Sequence, residues 1–349
     1  MKQLAIFQSD LGIGGIQKSL LSLLAYLQDK PVQIDLYLFR EAPMEDLPIP
    51  ANVTVIQRKR FPAFMKLLPF AWVRRLQQPF KSDKTYDLAI DYNGYWNECA
   101  HGALTVRADR RVCWIHSDLK RRRELNRRFR LLWLLSRSKY GSFDACAAVS
   151  QGAADAFTDL SGMDPDKIVV IPNLIDADQI RAESLQPIDF AVDPKRYNLV
   201  SVGSMNYYKG FDILVESMRR ISRRRRDIHL YIIGDGPSRS QIEGMVRRLG
   251  LTGQITLLGS QRNPFPYLAR MDGFVTASRF EGQGIAVMEA LALGLDVFIP
   301  RHLEPYLDGV KGYDDLEEAI IRAEKRRVSY DFDAYNQLVR SRLDQLLAL

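Results

Sequence analysis

Two glutamates, eight positions apart, are the residues of this chain whose types and spacing are most able to do chemistry. Glu281 belongs to the segment EGQG (281–284), and Glu289 lies about one turn inside the apolar helix that the pattern predicts from about Ile285. A carboxylate among apolar residues is costly to bury unless it meets a hydrogen-bond donor. Eight helical residues span roughly 12 Å, too far for an acid and a base acting on one bond, so the pair predicts two contacts to hydroxyls of one extended ligand. A structural alternative stays open, in which Glu281 is a helix-start carboxylate and Glu289 binds a backbone amide.

A second candidate is the segment GIGGIQKS (12–19), which nearly matches the phosphate-binding pattern GxxxxGK[ST]. Gln17 stands where the second glycine of that pattern lets the backbone wrap around phosphates, and this counts against a nucleoside triphosphatase. The four histidines share no metal-ligand spacing, and the DxD-like acidic pairs lie in turn-rich segments, so no metal site is predicted.

Short apolar runs alternate with stretches of helical period from one end of the chain to the other. The predicted strands are 4–7, 34–39, 53–56, 87–91, 112–116, 145–149, 168–171, 199–203, 229–234, 255–259, 274–276 and 297–300. The predicted helices include 16–28, 120–135, 151–159, 210–222, 238–249 and 314–325. This alternation predicts an α/β protein with parallel sheets, built as two Rossmann-like domains facing across a cleft, with ligands at the carboxyl ends of the strands.

The two series of strands follow one plan, because each opens with a strand, a glycine-containing turn and a helix. We predict an amino-terminal domain over 1–172, a linker without clear period over 173–197 and a second domain over 198–330. Residues 331–349 are predicted to form an amphipathic helix; it could pack against either domain, and packing back on the amino-terminal domain is the expectation.

The positive charge of the chain is local. Its 349 residues carry a formal net charge of +7, yet residues 58–139 alone hold 20 Lys/Arg against 7 Asp/Glu. Within that stretch, 58–81 and 120–139 interleave basic with apolar residues, as segments that lie on an anionic membrane surface do. Apolar residues of 131–135 that simply belong to a core are an equally open interpretation. No nucleic-acid motif accompanies the charge, so no nucleic-acid partner is expected.

Other composition features bear on the compartment. Three cysteines without CxxC spacing favour reduced thiols in a cytoplasmic protein. The apolar run at the amino terminus is four residues long, too short for a signal peptide, and no window reaches the 18 apolar residues of a membrane span. We therefore expect a cytoplasmic protein peripherally associated with the inner face of the cell membrane.

A family resemblance joins the separate motifs. The spacing E-x7-E from Glu281 to Glu289 resembles that of retaining nucleotide-sugar-dependent glycosyltransferases of the GT-B fold, group 1 or family 4. Other segments agree with this family in order and spacing, such as CWIHSDL (113–119), VGSMNYYKGFDIL (202–214) and LYIIGDGPSRSQIE (230–243). The resemblance covers nearly the whole chain. It implies that the amino-terminal domain binds the acceptor and that the second domain binds the nucleotide sugar.

The resemblance also implies roles for single residues. Glu289 would bind the ribose hydroxyls, Glu281 would hold the donor sugar, and Lys209 would neutralise the diphosphate as its charge develops. His116 would position the transferred sugar, so the catalytic assignment is His116, Lys209 and Glu281. The remaining donor-binding candidates are Gly14, Gly15, Ser204, Gly234, Gly236, Gly282, Gln283 and Gly284.

The chain departs from the family pattern at two places. Ser204 stands where relatives commonly have an arginine, which removes half of the expected cationic clamp on the diphosphate, and Arg279 or Arg262 is the candidate replacement. After 297–300 the Gly-rich return loop of many relatives is absent. Loss of activity is a second interpretation of Ser204.

We therefore expect a retaining, metal-independent hexosyltransferase without a cofactor. It would move a sugar from a nucleotide diphosphate sugar, with UDP as the expected nucleotide, to a lipid-linked saccharide or a cell-envelope polysaccharide. The alternatives are a P-loop-like NTPase and a non-catalytic nucleotide-sugar-binding or scaffold protein.

Overall fold

The computed structural model describes residues 1–12, 14–40, 47–77, 80 and 82–348. These residues form two compact units. Unit 1 contains Met1–Leu174 together with the residues from Asn336 onward, and unit 2 contains Ile175–Tyr335.

Unit 1 is built on a seven-stranded parallel sheet. Its elements in chain order are β1 (Lys2–Gln8), α1 (Gly15–Leu27), β2 (Val32–Leu38), β3 (Val53–Gln57), α2 (Phe70–Leu76), β4 (Tyr86–Asp91), α3 (Asn97–Thr105), β5 (Ala108–Ile115), α4 (Leu119–Leu125), α5 (Arg127–Ser136), β6 (Ala145–Ala148), α6 (Gln151–Ser161) and β7 (Ile168–Val170). The strand order β3-β2-β1-β4-β5-β6-β7 reverses direction between β1 and β4. Ligands of doubly wound sheets bind at the carboxyl ends of the strands beside such a reversal.

Unit 2 repeats this plan with five parallel strands. Its elements are α7 (Ala177–Ser184), β8 (Tyr197–Val202), α8 (Phe211–Arg224), β9 (Ile228–Ile233), α9 (Arg239–Arg248), β10 (Ile255–Gly259), α10 (Phe265–Leu268), β11 (Gly273–Val275), α11 (Ile285–Ala292), β12 (Asp296–Phe298) and α12 (Leu316–Ile321). The order β10-β9-β8-β11-β12 reverses between β8 and β11. The sequence-based prediction of two α/β domains with parallel sheets is confirmed, and every predicted strand is present.

The helices differ from the prediction where their surroundings override the local pattern. The predicted helix 120–135 is two helices, because the Asn126 side chain accepts from the Phe129 amide and starts α5. Helix α3 is not among the predicted helices, since its residues from Asn97 to Leu104 are all buried and show no polar face. The segment predicted as linker contains α7, which Asp176 caps and which packs on α10 and α11.

The chain ends in α13 (Phe332–Leu347). In unit 1, Asp344 of this helix accepts hydrogen bonds from Tyr26 at 2.5 Å and from Lys30 at 3.0 Å. Arg342 donates to the main-chain oxygen of Val170 at 3.0 Å. The contacts fix the last helix against α1 and the β7 edge of the sheet.

Candidate active site

The site in unit 2 lies at the reversal of its sheet. Lys209 follows β8 and Glu281 follows β11, and these two strands are hydrogen-bonded neighbours. The Lys209 ammonium is 2.7 Å from Oε1 and 2.9 Å from Oε2 of Glu281. Their side chains are 29% and 12% exposed, so the pair is largely shielded but open to a ligand. Two groups that the sequence analysis assigned to the diphosphate and the sugar therefore lie in direct contact.

A glycine makes this contact possible. Gly210 has φ +66° and is the N-cap residue of α8, directly after Lys209. A Cβ at this position would lie 1.9 Å from the main-chain oxygen of Ala277. The Arg279 amide also donates to the Tyr208 oxygen at 2.8 Å. Close backbone packing between the β8 and β11 loops thus places Lys209 beside Glu281.

Arg279, a candidate replacement for the arginine absent at Ser204, is engaged elsewhere. Its guanidinium binds both carboxylate oxygens of Asp212, at 2.9 and 2.7 Å, and stacks 3.8 Å from the Tyr207 ring centroid. The hydrogen bonds from Arg279 lower the pKa of Asp212. Arg279 therefore anchors the start of α8.

Ser204 itself is exposed in the loop after β8. Its hydroxyl oxygen accepts a hydrogen bond from the side-chain Nδ2 of Asn206 at 2.9 Å, and the side-chain Oδ1 of Asn206 accepts from the main-chain amide of Tyr208. Lys209 is thus the cation that this loop brings to Glu281. The second candidate replacement, Arg262, is exposed after β10.

Gly234 and Gly236 allow two loops to pack closely, a role that the sequence did not indicate. Their φ angles are +135° and +156°. A Cβ at Gly234 would lie 2.0 Å from the Gly203 oxygen, and one at Gly236 would lie 2.6 Å from the Met205 oxygen. The two glycines let the loops after β8 and β9 touch backbone to backbone. Their predicted approach to the nucleotide stays a prediction.

The remaining donor-binding candidates lie between β11 and α11. Gly284 starts α11 at φ +66°, and Gly282 and Gln283 are buried. The Gln283 amide donates to the Tyr335 hydroxyl at 2.5 Å. Glu289 lies in the second turn of α11 and is 5% exposed. The predicted helix start at about Ile285 is therefore correct, and Glu289 is a buried carboxylate as the sequence indicated.

His116 lies in unit 1, directly after β5. Its ring centroid is 4.7 Å from that of Tyr92, and Nε2 makes no hydrogen bond with the described residues. Burial lowers the pKa of His116 to about 3, although a hydrogen bond to the Tyr92 main chain acts in the opposite direction. The ring is neutral at physiological pH, so it can contact a hydroxyl but cannot stabilise negative charge as a cation.

Asp91, which the sequence analysis did not select, organises the turn beside this histidine. Its carboxylate is fully buried and accepts from the amides of Asn93 at 3.2 Å and Gly94 at 3.0 Å. Burial raises the pKa of Asp91 to about 6, against the opposing charge of Lys139. Aspartates at strand ends are common, so the sequence alone did not indicate that Asp91 is buried and binds the amides of this turn.

In the glycine-containing segment, a carboxylate binds the main-chain amide of Gly12. The Asp10 carboxylate accepts from the Gly12 amide at 3.1 Å and from the Gln17 side chain at 2.8 Å. An amide that a P-loop would offer to phosphate is therefore occupied by a carboxylate. Gly14 caps α1 and Gly15 begins it, while Ile13 lies outside the described residues. Contacts of Gly14 and Gly15 to a ligand stay a prediction.

The basic segments divide into buried and exposed apolar residues. Met65, Phe70, Val73 and Trp133 belong to the core of unit 1, which bears out the structural interpretation for Trp133. The exposed members are Phe64, Leu67, Trp72, Leu76, Leu131 and Leu134, each more than half exposed. Gln78, Pro79 and Lys81 of the segment 58–81 lie outside the described residues. Unit 1 thus presents apolar side chains among basic ones.

The described part of the chain lacks two further features. No three histidine, cysteine or acidic side chains within it come together as metal ligands. None of its helices combines the length and hydropathy that crossing a bilayer requires. Metal independence and the cellular location stay predictions.

Comparison with known proteins agrees with the doubly wound fold. A model of the glycosyl transferases group 1 matches residues 196–317, and one of glycosyltransferase family 4 matches residues 13–179. A solved structure, Anabaena Alr3699/HepE in complex with UDP and glucose, has a TM-score of 0.69 at 16% identity, covering 99% of this chain and 100% of that one. WaaG, a glycosyltransferase involved in lipopolysaccharide biosynthesis, has a TM-score of 0.56 at 14% identity, covering 99% and 91%. The two parts of the chain thus match two glycosyltransferase family models, and the fold is the GT-B fold of the solved glycosyltransferases.

Curated relatives are similar over parts of their length. A Campylobacter jejuni N-acetylgalactosamine-N,N'-diacetylbacillosaminyl-diphospho-undecaprenol 4-alpha-N-acetylgalactosaminyltransferase is 28% identical over 163 residues, 47% of this chain and 43% of the relative. The lipopolysaccharide core biosynthesis glycosyltransferase LpsE of Rhizobium meliloti is 27% identical over 168 residues, 48% and 47% of the two chains. The matches span a third to a half of the length of these first curated relatives.

Proposed function

We propose that this chain transfers a hexose from a nucleotide diphosphate sugar, with UDP as the nucleotide, to a lipid-linked saccharide or cell-envelope polysaccharide, retaining the anomeric configuration. The observation that carries the proposal is the contact of Lys209 with Glu281 at the reversal of the unit 2 sheet. A cation and a carboxylate at this point suit a ligand that combines phosphate and hydroxyl groups.

The reaction follows from these groups. The acceptor oxygen forms a bond to the anomeric carbon on the face from which the nucleoside diphosphate leaves, and the carbon–oxygen bond to the diphosphate breaks. The acceptor proton passes to a diphosphate oxygen. Lys209 stabilises the negative charge that develops on the leaving diphosphate, because a cation acts more strongly on nearby charge in a shielded site than in water. No divalent cation takes part in this scheme.

The other site residues orient the ligands. Glu281 accepts hydrogen bonds from hydroxyls of the sugar, and Glu289 accepts them from the ribose. His116, neutral and with Nε2 unoccupied by the described residues, contacts a hydroxyl of the transferred sugar. Buried hydrogen-bonding groups of this kind reject ligands that lack the matching hydroxyl, so they supply selectivity as well as affinity.

The acceptor proposal is supported by the relatives and by unit 1. The Campylobacter jejuni relative is named for a diphospho-undecaprenol substrate, and other relatives are named for lipopolysaccharide core synthesis or for phosphatidylinositol. Unit 1 exposes Phe64, Leu67 and Trp72 within the basic stretch. A cytoplasmic protein with this surface would lie on the inner face of the membrane, where a lipid-linked acceptor is presented.

A non-catalytic nucleotide-sugar-binding protein is the second candidate. Ser204 favours it, because Lys209 lacks the arginine that commonly accompanies it in the family. Such a protein would bind the donor and show no turnover.

A thermal-shift screen against nucleotide sugars, followed by turnover assays, tests the proposal. A donor at 100 times its Kd stabilises a protein by about 2.7 kcal/mol, an easily measured rise in Tm. We expect a UDP-sugar to raise Tm, ATP to leave it unchanged, and turnover to survive EDTA. Absence of a shift with every nucleotide sugar would refute the proposal, and binding without turnover would select the non-catalytic candidate.

A further inference from the structure

Three arginines converge on two neighbouring aromatic residues at the carboxyl edge of the unit 1 sheet. The Arg40 and Arg60 guanidinium carbons lie 4.3 Å and 5.1 Å from the Trp96 ring centroid, and that of Arg122 lies 4.8 Å from the Tyr95 ring centroid. Tyr95 and Trp96 lie between β4 and α3, Arg40 and Arg60 follow β2 and β3, and Arg122 lies in α4, which follows β5. Four connections after four strands thus build one arginine–aromatic cluster, defined by these five residues.

The cluster carries more positive than negative charge. Asp10 forms an ion pair with the cluster, with its carboxylate 3.7 Å from the Arg40 guanidinium. Glu98, the nearest acidic residue in sequence to Trp96, is 2% exposed and so contributes little to the accessible surface. Three guanidiniums held close together give the cluster a local positive potential that an anion can neutralise.

Stacking on the aromatic rings orients the arginine side chains so that they can bind a polyanion. A guanidinium held by its face against an aromatic ring keeps its edge N–H groups available, and that planar fork matches the oxygens of phosphate. Arg60 is exposed, the Arg40 side chain is 40% exposed, and Nε of Arg122 is buried without a hydrogen-bond partner among the described residues. Arg40 and Arg60 are therefore accessible from solvent, while Arg122 is the inner member of the cluster and also lies 4.8 Å from the Phe129 ring centroid.

We propose that the arginine–aromatic cluster binds the phosphate or diphosphate group of the acceptor, and this inference rests on the proposed function. Because two guanidiniums lie against the Trp96 ring, a ligand of the cluster meets their positive charge and not the face of the ring. A diphosphate has enough oxygens to bridge arginines from different loops. Lipid-linked saccharides carry such a group between lipid and sugar, so the cluster would fix the sugar end relative to the lipid anchor.

The test uses geranyl diphosphate, geraniol and inorganic pyrophosphate as probes, measured by calorimetry on the full chain. In R40Q/R60Q/R122Q we expect geranyl diphosphate to bind about tenfold or more weakly. R223Q/R226Q/R248Q, which removes three exposed arginines from unit 2, should change its Kd less than twofold. Pyrophosphate should compete with geranyl diphosphate, whereas geraniol should not. An unchanged Kd in the cluster variant overturns the proposal.

Two further measurements address the folding of the triple variant and the source of the phosphate. If the triple variant fails to fold, R60K keeps the charge of an exposed residue while losing the planar fork, and it should still weaken geranyl diphosphate binding at least threefold. Flotation with phosphatidylcholine vesicles containing phosphatidic acid identifies the phosphate source. A loss of vesicle binding with unchanged geranyl diphosphate affinity assigns the arginines to lipid headgroups and overturns the proposal.

UDP binding distinguishes this inference from the proposed function. Cluster variants should bind UDP as the parent does, since the donor is assigned to unit 2. An equal loss of UDP and geranyl diphosphate binding would make the cluster a nucleotide site and overturn the inference. A parent that binds geranyl diphosphate but no nucleotide sugar would refute the proposed function and leave the anion site intact.

Discussion

The Lys209 ammonium bridges both carboxylate oxygens of Glu281, at 2.7 and 2.9 Å, and joins the loops that follow β8 and β11. The cation expected to meet the diphosphate is therefore neutralised by the carboxylate expected to hold the sugar. A donor must compete with Glu281 for Lys209. This competition makes the effects of the two residues on nucleotide binding opposite in sign.

Replacing Glu281 by Gln should tighten UDP binding and weaken turnover. The variant frees Lys209 from its counter-charge, so the Kd for UDP should fall about threefold or more, while kcat should fall at least tenfold because the sugar loses its carboxylate. Lys209→Met should weaken UDP about tenfold or more. Calorimetry and single-turnover kinetics measure the two quantities.

Lys325→Met is the matched control for this pair, since Lys325 lies 3.1 Å from Asp272 in the same unit. It breaks another lysine–carboxylate contact and should change the UDP Kd less than twofold. If Glu281→Gln weakened UDP as much as Lys209→Met does, Glu281 would contact the nucleotide itself and its assignment to the sugar would be wrong.

Glu289→Ala should weaken nucleotide binding strongly. Loss of a charged hydrogen bond costs about 1.5–3 kcal/mol, which corresponds to a rise of about 10- to 150-fold in the UDP Kd. Asp296→Ala is the control, because Asp296 is a similarly buried carboxylate of unit 2 that binds Arg326. It should lower Tm without a comparable loss of UDP affinity. A change of less than twofold in both Kd and turnover for Glu289→Ala would contradict the ribose assignment.

The depressed pKa of His116, about 3, should make unit 1 less stable in acid. Below pH about 6.5 the unfolded chain binds a proton at His116 that the folded chain does not, so the free energy of unfolding decreases as pH falls. The His116 contribution to this loss should approach about 2 kcal/mol at pH 5. His116→Gln should abolish that contribution.

Urea unfolding at pH 7.5 to 4.5 checks the His116 prediction. All four tryptophans lie at positions 72, 96, 114 and 133, so intrinsic fluorescence reports on unit 1. Asp91, with its pKa raised to about 6, changes stability in the opposite direction as pH falls. Asp91 is present in the parent and in His116→Gln, so the difference between their free energies of unfolding gives the contribution of His116 alone. Parallel stability curves for parent and variant would contradict the lowered pKa of His116.

Membrane binding should depend on the exposed apolar residues of the basic stretch. Phe64 and Trp72 are 58% and 57% exposed, and replacing both by Ala should weaken binding to anionic vesicles about tenfold, because their apolar area would no longer enter the headgroup region. Leu185→Ala removes a side chain that is 83% exposed in unit 2 and should have no effect. Flotation with anionic vesicles at 50 and 500 mM NaCl measures the binding, and the difference between the two salt concentrations gives its electrostatic part. If neutral vesicles bound the protein as well as anionic ones at both salt concentrations, unit 1 would not bind membranes through its positive charge.

The fold was predictable because its signals are local. Each apolar run of β1 to β12 is bounded by turn residues, and the amphipathic helices show their period within a dozen residues. The helices that the pattern missed are those without such a signal, like α3, which is buried on every side. The motif around Glu281 and Glu289 was visible for the same reason, since a carboxylate inside an apolar helix stands out in sequence.

By itself, the sequence determined the α/β class, the order of the motifs and the identity of the two glutamates, because these depend on residues close together in the chain. Only the tertiary structure decided that Lys209 contacts Glu281, 72 residues away, and that Arg279 binds Asp212. It also decided that His116 is neutral and that Arg40, Arg60 and Arg122 meet at Tyr95 and Trp96. These relationships depend on strand order and burial, which bring distant loops to one edge of a sheet and which local spacing does not encode.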